Sequence, residues 1–513
     1  MRFRTFMVGL AIGFTFSLPF ASANETPQGT DIQILHTNDL HGHLEAGDDN
    51  GRTMGMAEVI AVFRTERQQN PDTLTLDAGD MIEGMPIVNI NKGENMAAIA
   101  NEAGYDAMTP GNHEFDYGAQ QLEYISWLLN FPVISANVYD KKAQQYVYPP
   151  YKLFRVHGVR IGVFGLTTPD TPNATGPSSV KDLTFQDPIA EAKQMVQFLR
   201  RNNDVVIAVM HMGVDRSSSV TSTDIADKVP GIDIIIDGHS HTELPHGLIE
   251  NGVLIAQTGA HGHNVGVVNF VVKDHKIVSK RARLINRQEA LQLTPPDPQI
   301  DKQIQAMEKK DKAFFNEVLA HSDRQLSGER DLVRKQEIEL GDLAADAFRV
   351  EAGADIGVVN GGNIRTDLPK GNVTKRDAIA IFPFNNVLTK QRLTGAQVKA
   401  MLEHSVASYP SNFGGFLQVS GVTFTYNPTL PAGQRVTEIL VDGKPLQEKA
   451  TYTVATNDFL ADGGDGYQVL KQAPVIGKEG MLVDAFSHYL NTHGTKTTMG
   501  RIHMQEVPAQ KAA

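Results

Sequence analysis

Short apolar, β-branched runs alternate with helical patterns over the first half of the chain, between residue 31 and about residue 272. The intervening patterns predict helices over residues 56–68, 119–129 and 188–201, the last with Asp187 as N-cap and Pro188 in its first turn. This alternation predicts a layered α/β domain with buried sheets. The runs that predict its strands are IQILHT from Ile32, DTLTLDA from Asp72, PVISANV from Pro132, RIGVFGL from Arg160, DVVIAVM from Asp204, GIDIIID from Gly231, VLIAQTG from Val253 and VGVVNFVV from Val265.

The segment TPPDPQ, which starts at Thr294, is the clearest break in this pattern. A polar, charge-rich helical stretch follows it over residues 300–319, and we expect it to be an interdomain linker helix within residues 291–325. The chain would then divide into a domain over residues 30–290 and a second over 326–505. The second has its own predicted helices over 340–352 and 395–405, and its own strands VTFTYN and ATYTVAT.

The first 23 residues are typical of a secretory leader. Arg2 and Arg4 precede an apolar run that ends in Ala-Ser-Ala, and the run is too short for a comfortable membrane span. We expect cleavage near Asn24 and a periplasmic or secreted protein, with no lipid anchor because no Cys stands at the cleavage site. The alternative is an uncleaved, buried N-terminal helix.

The composition of the chain excludes several kinds of functional site. The 513 residues include no Cys, which excludes disulfides, thiolate metal sites and Cys nucleophiles. The net charge of −12 argues against binding to a nucleic-acid backbone, which needs clustered Lys and Arg, but leaves room for a small phosphorylated ligand.

Five separate strand-end segments carry Asp, His or Asn side chains. This position matters because ligands of open α/β sheets bind beyond the carboxyl ends of the strands. Carboxylates and imidazoles without sulfur suit Zn, Mn or Fe better than Ca, and a bridging carboxylate, for which we favour Asp80, would let two cations activate water. Any one of these histidines alone is more simply a hydrogen-bonded strand-end residue. The candidate residues are Asp39, His41, Asp80, Asn112, His113, Asp116, His211, His239 and His241.

This ordered series resembles the motifs of calcineurin-like metallophosphoesterases. With the strings TNDLHGH, GNHEFDYG and SANV, residues 31–504 are similar to secreted bacterial 5'-nucleotidases of the UDP-sugar hydrolase and 2',3'-cyclic phosphodiesterase type. The resemblance implies an N-terminal four-layer α/β/β/α sandwich, a linker helix and a C-terminal α+β nucleotide-binding domain. It also implies that the C-terminal domain rotates on the linker to carry substrate to the metals, so a cross-link that holds the domains apart should abolish turnover but not nucleoside binding.

The resemblance further implies a role for each site residue. His113 would contact the scissile phosphate and Asp116 would orient it, although Asp116 could instead be a turn residue before Tyr117. Some family members have Gln where this chain has His241, which affects the expected metal preference. One divalent cation would be held by Asp39, His41, Asp80 and His241, and the other by Asp80, Asn112, His211 and His239.

The C-terminal half offers side chains suited to a nucleoside. Arginines present forked donors to phosphate, phenyl rings can sandwich a base, and a carboxylate can accept from ribose hydroxyls. By composition alone, core phenylalanines and solvated arginines are the stronger interpretation, but the resemblance favours substrate binding. The residues are Arg330, Arg334, Asn360, Arg365, Phe384, Asn386, Phe459 and Asp465.

Three functions fit the sequence. The first is a phosphohydrolase that cleaves 5'-nucleotides, with UDP-sugars or cyclic nucleotides as further substrates. The second is a noncatalytic nucleotide-binding or surface protein. The third is a thiosulfate-ester hydrolase on the same architecture, which the pair Phe384 and Phe459 argues against because such an enzyme has no base to stack. The sequence leaves the preferred base, the native metals, the oligomeric state and the role of the flanking histidines His36, His43, His261 and His263 open.

Overall fold

The structure is a computed structural model that describes residues 29–505, apart from 176–178, 216–217 and 385. The predicted leader, residues 1–23, lies outside the described residues. Within the described ranges, every helix is too short or too polar to cross a membrane.

The N-terminal domain contains two large sheets. Sheet I has the order Lys276–Asn286, Asn264–Lys273, Thr30–Thr37, Thr73–Asp77, Ala107–Met108, and its last three strands are parallel. Sheet II has the order Leu248–Glu250, Val253–Ala256, Ile234–Ile236, Val205–His211, Val159–Thr167, Tyr151–Val156, with its four inner strands parallel.

The two sheets pack face to face, with helices on both outer faces. Along the first strand, Ile34 joins the cluster between the sheets, whereas its neighbour Leu35 joins the cluster under the helices, as the two-residue period of a strand requires. In sheet II, Val205 and Val206 divide in the same way. The predicted four-layer α/β/β/α sandwich is therefore present. Its helices are Asp48–Gly51, Met56–Gln69, Pro86–Asn89, Glu94–Ala103, Ala119–Leu128, Thr171–Ala174, Pro188–Leu199, Ser222–Lys228 and Arg287–Leu293.

Most predicted elements of this domain are confirmed, including the cap of helix Pro188–Leu199, where the Asp187 carboxylate accepts from the backbone N–H of Ile189. The predicted strand from Pro132 is wrong over most of its length. Its backbone instead crosses between the sheets, since the N–H of Ile134 donates to Met108 and that of Ala136 donates to Gly165. A short strand, Val138–Asp140, follows and joins Gln145–Tyr146 and Leu183–Phe185 in a small separate sheet.

The expected linker helix covers Pro298–Phe315, with the Asp297 carboxylate capping its first turn. It ends earlier than predicted because strand Val318–Ser322 begins there and pairs with Gly371–Thr374. Ile300 and Ile304 pack into the core of the N-terminal domain, while Glu308 pairs with Arg376 of the C-terminal domain.

The C-terminal region is α+β. A mixed sheet has the order Leu417–Ser420, Ile356–Asn360, Thr451–Asn457, Val387–Thr394, Val475–Met481, and a second sheet the order Lys444–Pro445, Val436–Val441, Val422–Tyr426, Ile502–Met504. One face of the mixed sheet packs on helices Glu339–Glu351 and Leu482–His493, and the other faces Gly395–Ser405 and the second sheet. The shorter helices are Arg330–Val333, Lys375–Ile381, Asp458–Ala461 and Gln468–Lys471.

Candidate active site

The carboxyl ends of strands from both sheets of the N-terminal domain meet at one rim. Strands Thr30–Thr37, Thr73–Asp77, Ala107–Met108, Val205–His211 and Ile234–Ile236 each end at or just before a predicted metal-binding residue. Left-handed backbone is uncommon outside glycine and is concentrated at functional sites, where the surrounding fold holds it. Five of the predicted metal-binding residues have this backbone conformation: Asp39, His41, Asp80, His239 and His241.

The rim brings the predicted ligands into two groups, Asp39 with His41 and His241, and Asp80 with His211 and His239. Within each group, the ligand atoms lie within 4.8 Å of one another. His41 Nε2 is 3.2 Å from His241 Nε2 and 3.8 Å from Asp80 Oδ2, so Asp80 lies between the groups.

Among the residues that the structure describes, Asn112 Oδ1 and His211 Nε2 are buried at this rim and make no hydrogen bond. The other ring nitrogen of His211 donates to the carbonyl of Ala78 at 2.7 Å, which turns Nε2 toward Asp80 Oδ2 at 3.1 Å. This pattern of buried carboxylate, imidazole and amide ligands, with the His211 imidazole oriented from behind by the Ala78 carbonyl, fits divalent transition-metal cations.

The buried carboxylates and imidazoles at the rim shift one another's pKa values. Burial raises the pKa of Asp39 to about 7, whereas His211 and His113 outweigh burial and hold the pKa of Asp80 well below its usual value. Burial opposes protonation of His211, but Asp80 raises the pKa of that imidazole to about 10. The space between His211 and Asp80 therefore favours positive charge, for which a proton and a metal cation compete.

His113 and Asp116 form a hydrogen-bonded pair beside the rim. His113 Nδ1 lies 2.7 Å from Asp116 Oδ2, and the hydroxyl of Thr175 donates to the other carboxylate oxygen. Burial disfavours the charged imidazole, but Asp116, Asp80 and Glu83 outweigh it and raise the pKa of His113 to about 9. His113 is therefore protonated near neutral pH. Since Nδ1 is bonded to Asp116, Nε2 is the ring nitrogen left to contact a ligand in the cleft, which His113 and Asp116 both line.

A cleft of about 930 Å³ separates this rim from the C-terminal domain. Its N-terminal wall includes Asp80, Asn112, His113, His239 and His241. All of the predicted substrate-binding residues lie on the opposite wall: Arg330, Arg334, Asn360, Arg365, Phe384, Asn386, Phe459 and Asp465.

The arginines of this wall form a positive cluster. Burial and the charge of Arg365 lower the pKa of Arg330, and burial with the charges of Arg330 and Arg365 lowers that of Arg334 further. Arg365 reaches across the cleft to within 3.4 Å of His41 Nε2. Guanidinium groups that repel one another in a half-buried cleft favour a multiply charged anion, such as phosphate, between them.

The polar residues of the wall are held by one another. Asn360 donates to Asp465 at 2.8 Å, and Asn386 donates to Asp458 at 3.0 Å. Burial, only partly offset by Asn360 and Arg334, raises the pKa of Asp465 to about 6. These hydrogen bonds fix the orientation of the side chains, and groups with a fixed orientation bind a ligand at a lower entropy cost.

Comparison with known proteins agrees with this arrangement. The protein-family model for calcineurin-like phosphoesterases matches residues 32–243 of this chain. The family model for the 5'-nucleotidase C-terminal domain matches residues 318–472. Protein UshA of Yersinia enterocolitica is 31% identical over 541 residues, covering 96% of this chain and 97% of that protein. This chain belongs to the 5'-nucleotidase family.

Two further relatives agree with this assignment. A 5'-nucleotidase of Vibrio cholerae is 29% identical over 485 residues, covering 86% of this chain and 87% of that protein. The crystal structure of a 5'-nucleotidase precursor from Thermus thermophilus has a TM-score of 0.83 and 30% identity, and covers 93% of this chain and all of that one.

The active-site cleft of this 5'-nucleotidase family member has two further carboxylates beside it, Glu114 and Glu83, that the sequence did not predict. Glu114 accepts from the backbone N–H groups of Asp80, Met81 and Gly111 at 2.6–2.7 Å, which ties the Asp80 and Asn112 loops together. Glu83 is buried, with Oε2 3.4 Å from His41 Nδ1. Glu114 stands inside the GNHEFD string, so its position was the available signal, whereas nothing local distinguishes Glu83.

The flanking histidines have different environments. His36 is fully buried, and burial lowers its pKa to about 3, so it is a neutral core residue. His43 stacks on His261 with 4.4 Å between ring centroids. His261 and His263 gather around Asp49 in a separate group beside the rim.

Proposed function

We propose that this protein is a metal-dependent hydrolase that removes the phosphate of nucleoside 5'-monophosphates. The observation that carries the proposal is the single cleft that places the carboxylate and imidazole rim opposite an arginine and phenylalanine wall. The first wall suits attack on phosphorus, and the second suits recognition of a nucleotide. The names of the Vibrio and Thermus relatives support the same activity.

We assign two divalent cations, of the zinc or manganese class, to the rim. Asp39, His41, Asp80 and His241 would hold one, and Asp80, Asn112, His211 and His239 the other. The two ligand groups, the position of Asp80 between them and the partnerless Asn112 Oδ1 support this assignment. Such cations supply Lewis acidity that activates water and neutralises charge on phosphoryl oxygens.

His113 would hold a proton on Nε2 and direct it at the substrate phosphate, where it stabilises developing negative charge or protonates the leaving oxygen. Asp116 keeps the ring oriented and protonated through the 2.7 Å contact with Nδ1. Nearby carboxylates raise the pKa of His113 despite burial, which supports a proton donor at this position.

The C-terminal wall would hold the nucleotide. Arg330, Arg334 and Arg365 would contact polar groups of the substrate, and the rings of Phe384 and Phe459 would stack on its base. The hydrogen-bonding side chains Asp465, Asn360 and Asn386 would contact the ribose and base. Because this wall recognises a nucleoside rather than one phosphate position, we include UDP-sugars and cyclic nucleotides as candidate substrates.

The two other functions are less well supported. A noncatalytic nucleotide-binding protein has no need of the buried His113 and Asp116 pair. A thiosulfate-ester hydrolase has no use for two phenyl rings on the cleft wall. We also propose that the protein acts in the periplasm or outside the cell, on the basis of the leader sequence in residues 1–23.

Phosphate release from AMP by metal-free protein, and by protein reloaded with Mn²⁺ or Zn²⁺, tests the proposal. We expect turnover only after reloading, and its loss in His113→Ala and Asp80→Asn. Equilibrium binding of adenosine to the same proteins is the control, since both substitutions lie on the N-terminal wall and Asp80→Asn leaves the stacking of Phe384 on His113 intact. AMP binding with no turnover at any metal loading would favour the noncatalytic alternative.

A further inference from the structure

Three side chains outside the active-site cleft converge on one point. The Oδ2 atom of Asp49 lies 2.7 Å from His261 Nδ1 and 2.8 Å from His263 Nε2. Asp49 belongs to the short helical segment Asp48–Gly51 that follows the first strand of sheet I, and the histidines belong to the loop before strand Asn264–Lys273. The two loops are more than 200 residues apart in the chain, so the fold alone brings these groups together.

We propose that Asp49, His261 and His263 bind a third divalent cation of the zinc class. One carboxylate oxygen and two imidazole nitrogens are a ligand set that zinc prefers. The three ligand atoms lie within 4.8 Å of one another, as do those of the two groups at the rim. Zinc bonds of about 2.0–2.1 Å in a tetrahedron place ligand atoms about 3.3 Å apart. Opening each contact by about 0.5 Å would therefore admit the ion.

The backbone and the surroundings fit such a site. Asp49, Asn50 and His261 have left-handed backbone, an uncommon conformation that persists where the fold requires it. Glu243 Oε1 lies 3.7 Å from His263 Nδ1 and can orient the ring from behind, as outer carboxylates do at metal sites. The Asp49 side chain is 36% exposed, so an ion can enter from solvent and keep a water ligand.

This site adjoins the rim without sharing its ligands. The rings of His261 and His41 are 5.7 Å apart, and the backbone N–H of His261 donates to the carbonyl of Asp39 at 2.7 Å. A cation on His261 and His263 would brace the loop that contacts Asp39. Its role is therefore structural support of the rim rather than chemistry on the substrate.

Counting bound zinc in the full chain tests this site. Metal-free protein is loaded with Zn²⁺, desalted and measured by elemental analysis. We expect wild type to retain one zinc more per chain than His263→Ala and Asp49→Asn. The matched control is His157→Ala, which removes an imidazole paired with a single carboxylate, Asp72, at 2.9 Å, and it should retain the wild-type count.

The difference between wild type and variant does not depend on how many ions the rim binds, so this test and that of the proposed function can fail independently. Equal zinc counts in wild type, His263→Ala and Asp49→Asn would show that the three side chains only hydrogen-bond to one another, and would overturn the proposal. An anomalous-scattering peak at the zinc edge beside Asp49 gives a second measurement on wild type alone. Its absence in zinc-loaded crystals would overturn the proposal even if the variants fail to fold.

Discussion

The phenyl ring of Phe384 stacks on the imidazole of His113 across the cleft, with 5.3 Å between ring centroids and 17° between ring planes. The guanidinium of Arg365 lies over the same phenyl ring, 5.5 Å from its centroid. A side chain proposed to bind the base is thus in contact with the proposed proton donor. Phe384 couples the two walls of the cleft, so its replacement should affect both binding and catalysis.

We expect Phe384→Ala to raise the KM for AMP about 5- to 150-fold, because stacking of a base on an aromatic ring contributes about 1–3 kcal/mol. Phe384→Tyr, which keeps the ring, should stay near wild type. Kinetics with ribose 5-phosphate separate the two roles of the ring, since that substrate has no base to stack. An equal loss with AMP and with ribose 5-phosphate would show that Phe384 acts only by packing on His113.

Replacing His113 should slow the reaction according to the leaving group. We expect His113→Ala to lower kcat for AMP about 100- to 10,000-fold, the range typical of a lost general acid. The loss should be much smaller for p-nitrophenyl phosphate, whose leaving oxygen needs no proton. Equal losses for both substrates would contradict proton donation and leave only charge stabilisation. Asp116→Asn should show the same dependence on leaving group with a smaller loss, because the ring remains.

The rim of proposed metal ligands could be predicted from the sequence because its polar residues follow apolar strands. An apolar run followed by Asp39, Asp80 or His211 is a local pattern, and parallel strands carry such ends to one edge. Contacts that depend on packing between distant segments could not be predicted from the sequence. Asp49 meets His263 and Phe384 meets His113 only after the loops and domains have packed, and no periodicity in either segment indicates its partner.

The fold shows the same division. Asp187 and Pro188 are a local N-terminal signal for a helix, and the helix begins at Pro188. The apolar run from Pro132 has the composition of a strand, but its backbone hydrogen bonds are shared between the two sheets. Strand Lys276–Asn286 was not predicted, because its inward face, which includes Ile277 and Ala282, is only half-buried and charged residues interrupt its apolar pattern.

Glu114 should control metal affinity without touching the metals. Its carboxylate holds the backbone N–H groups of Asp80 and Gly111, so Glu114→Ala frees both ligand loops. We expect the affinity of the rim for Zn²⁺ or Mn²⁺ to fall about 10- to 100-fold, as it does when outer partners of metal ligands are removed. Competition with a chelating dye measures the affinity. Glu123→Ala, an exposed carboxylate nearby in the chain, should leave it unchanged.

We expect Asp342 to make the protein's stability depend on pH. It is fully buried, and neither of its carboxylate oxygens has a hydrogen-bond partner among the described residues. Arg501 Nε lies 3.8 Å away, but that guanidinium hydrogen-bonds instead to both carboxylate oxygens of Asp346. Burial outweighs the attraction of Arg501 and, with the nearby Glu337 carboxyl, raises the pKa of Asp342 from 3.8 to about 9.

Because the folded protein binds this proton more tightly than the unfolded chain, the contribution of Asp342 to stability falls as pH rises from about 4 toward 9. Asp342→Asn keeps the shape of the neutral acid but cannot ionise. We therefore expect the variant to lose part of the decline in Tm with rising pH and to melt higher than wild type at pH 8. Thermal unfolding from pH 5 to pH 9 measures this, with Asp346→Asn expected to melt lower throughout because it breaks the pair with Arg501. A lower Tm for Asp342→Asn at pH 8 would mean that Asp342 is ionised and stabilised by Arg501 after all.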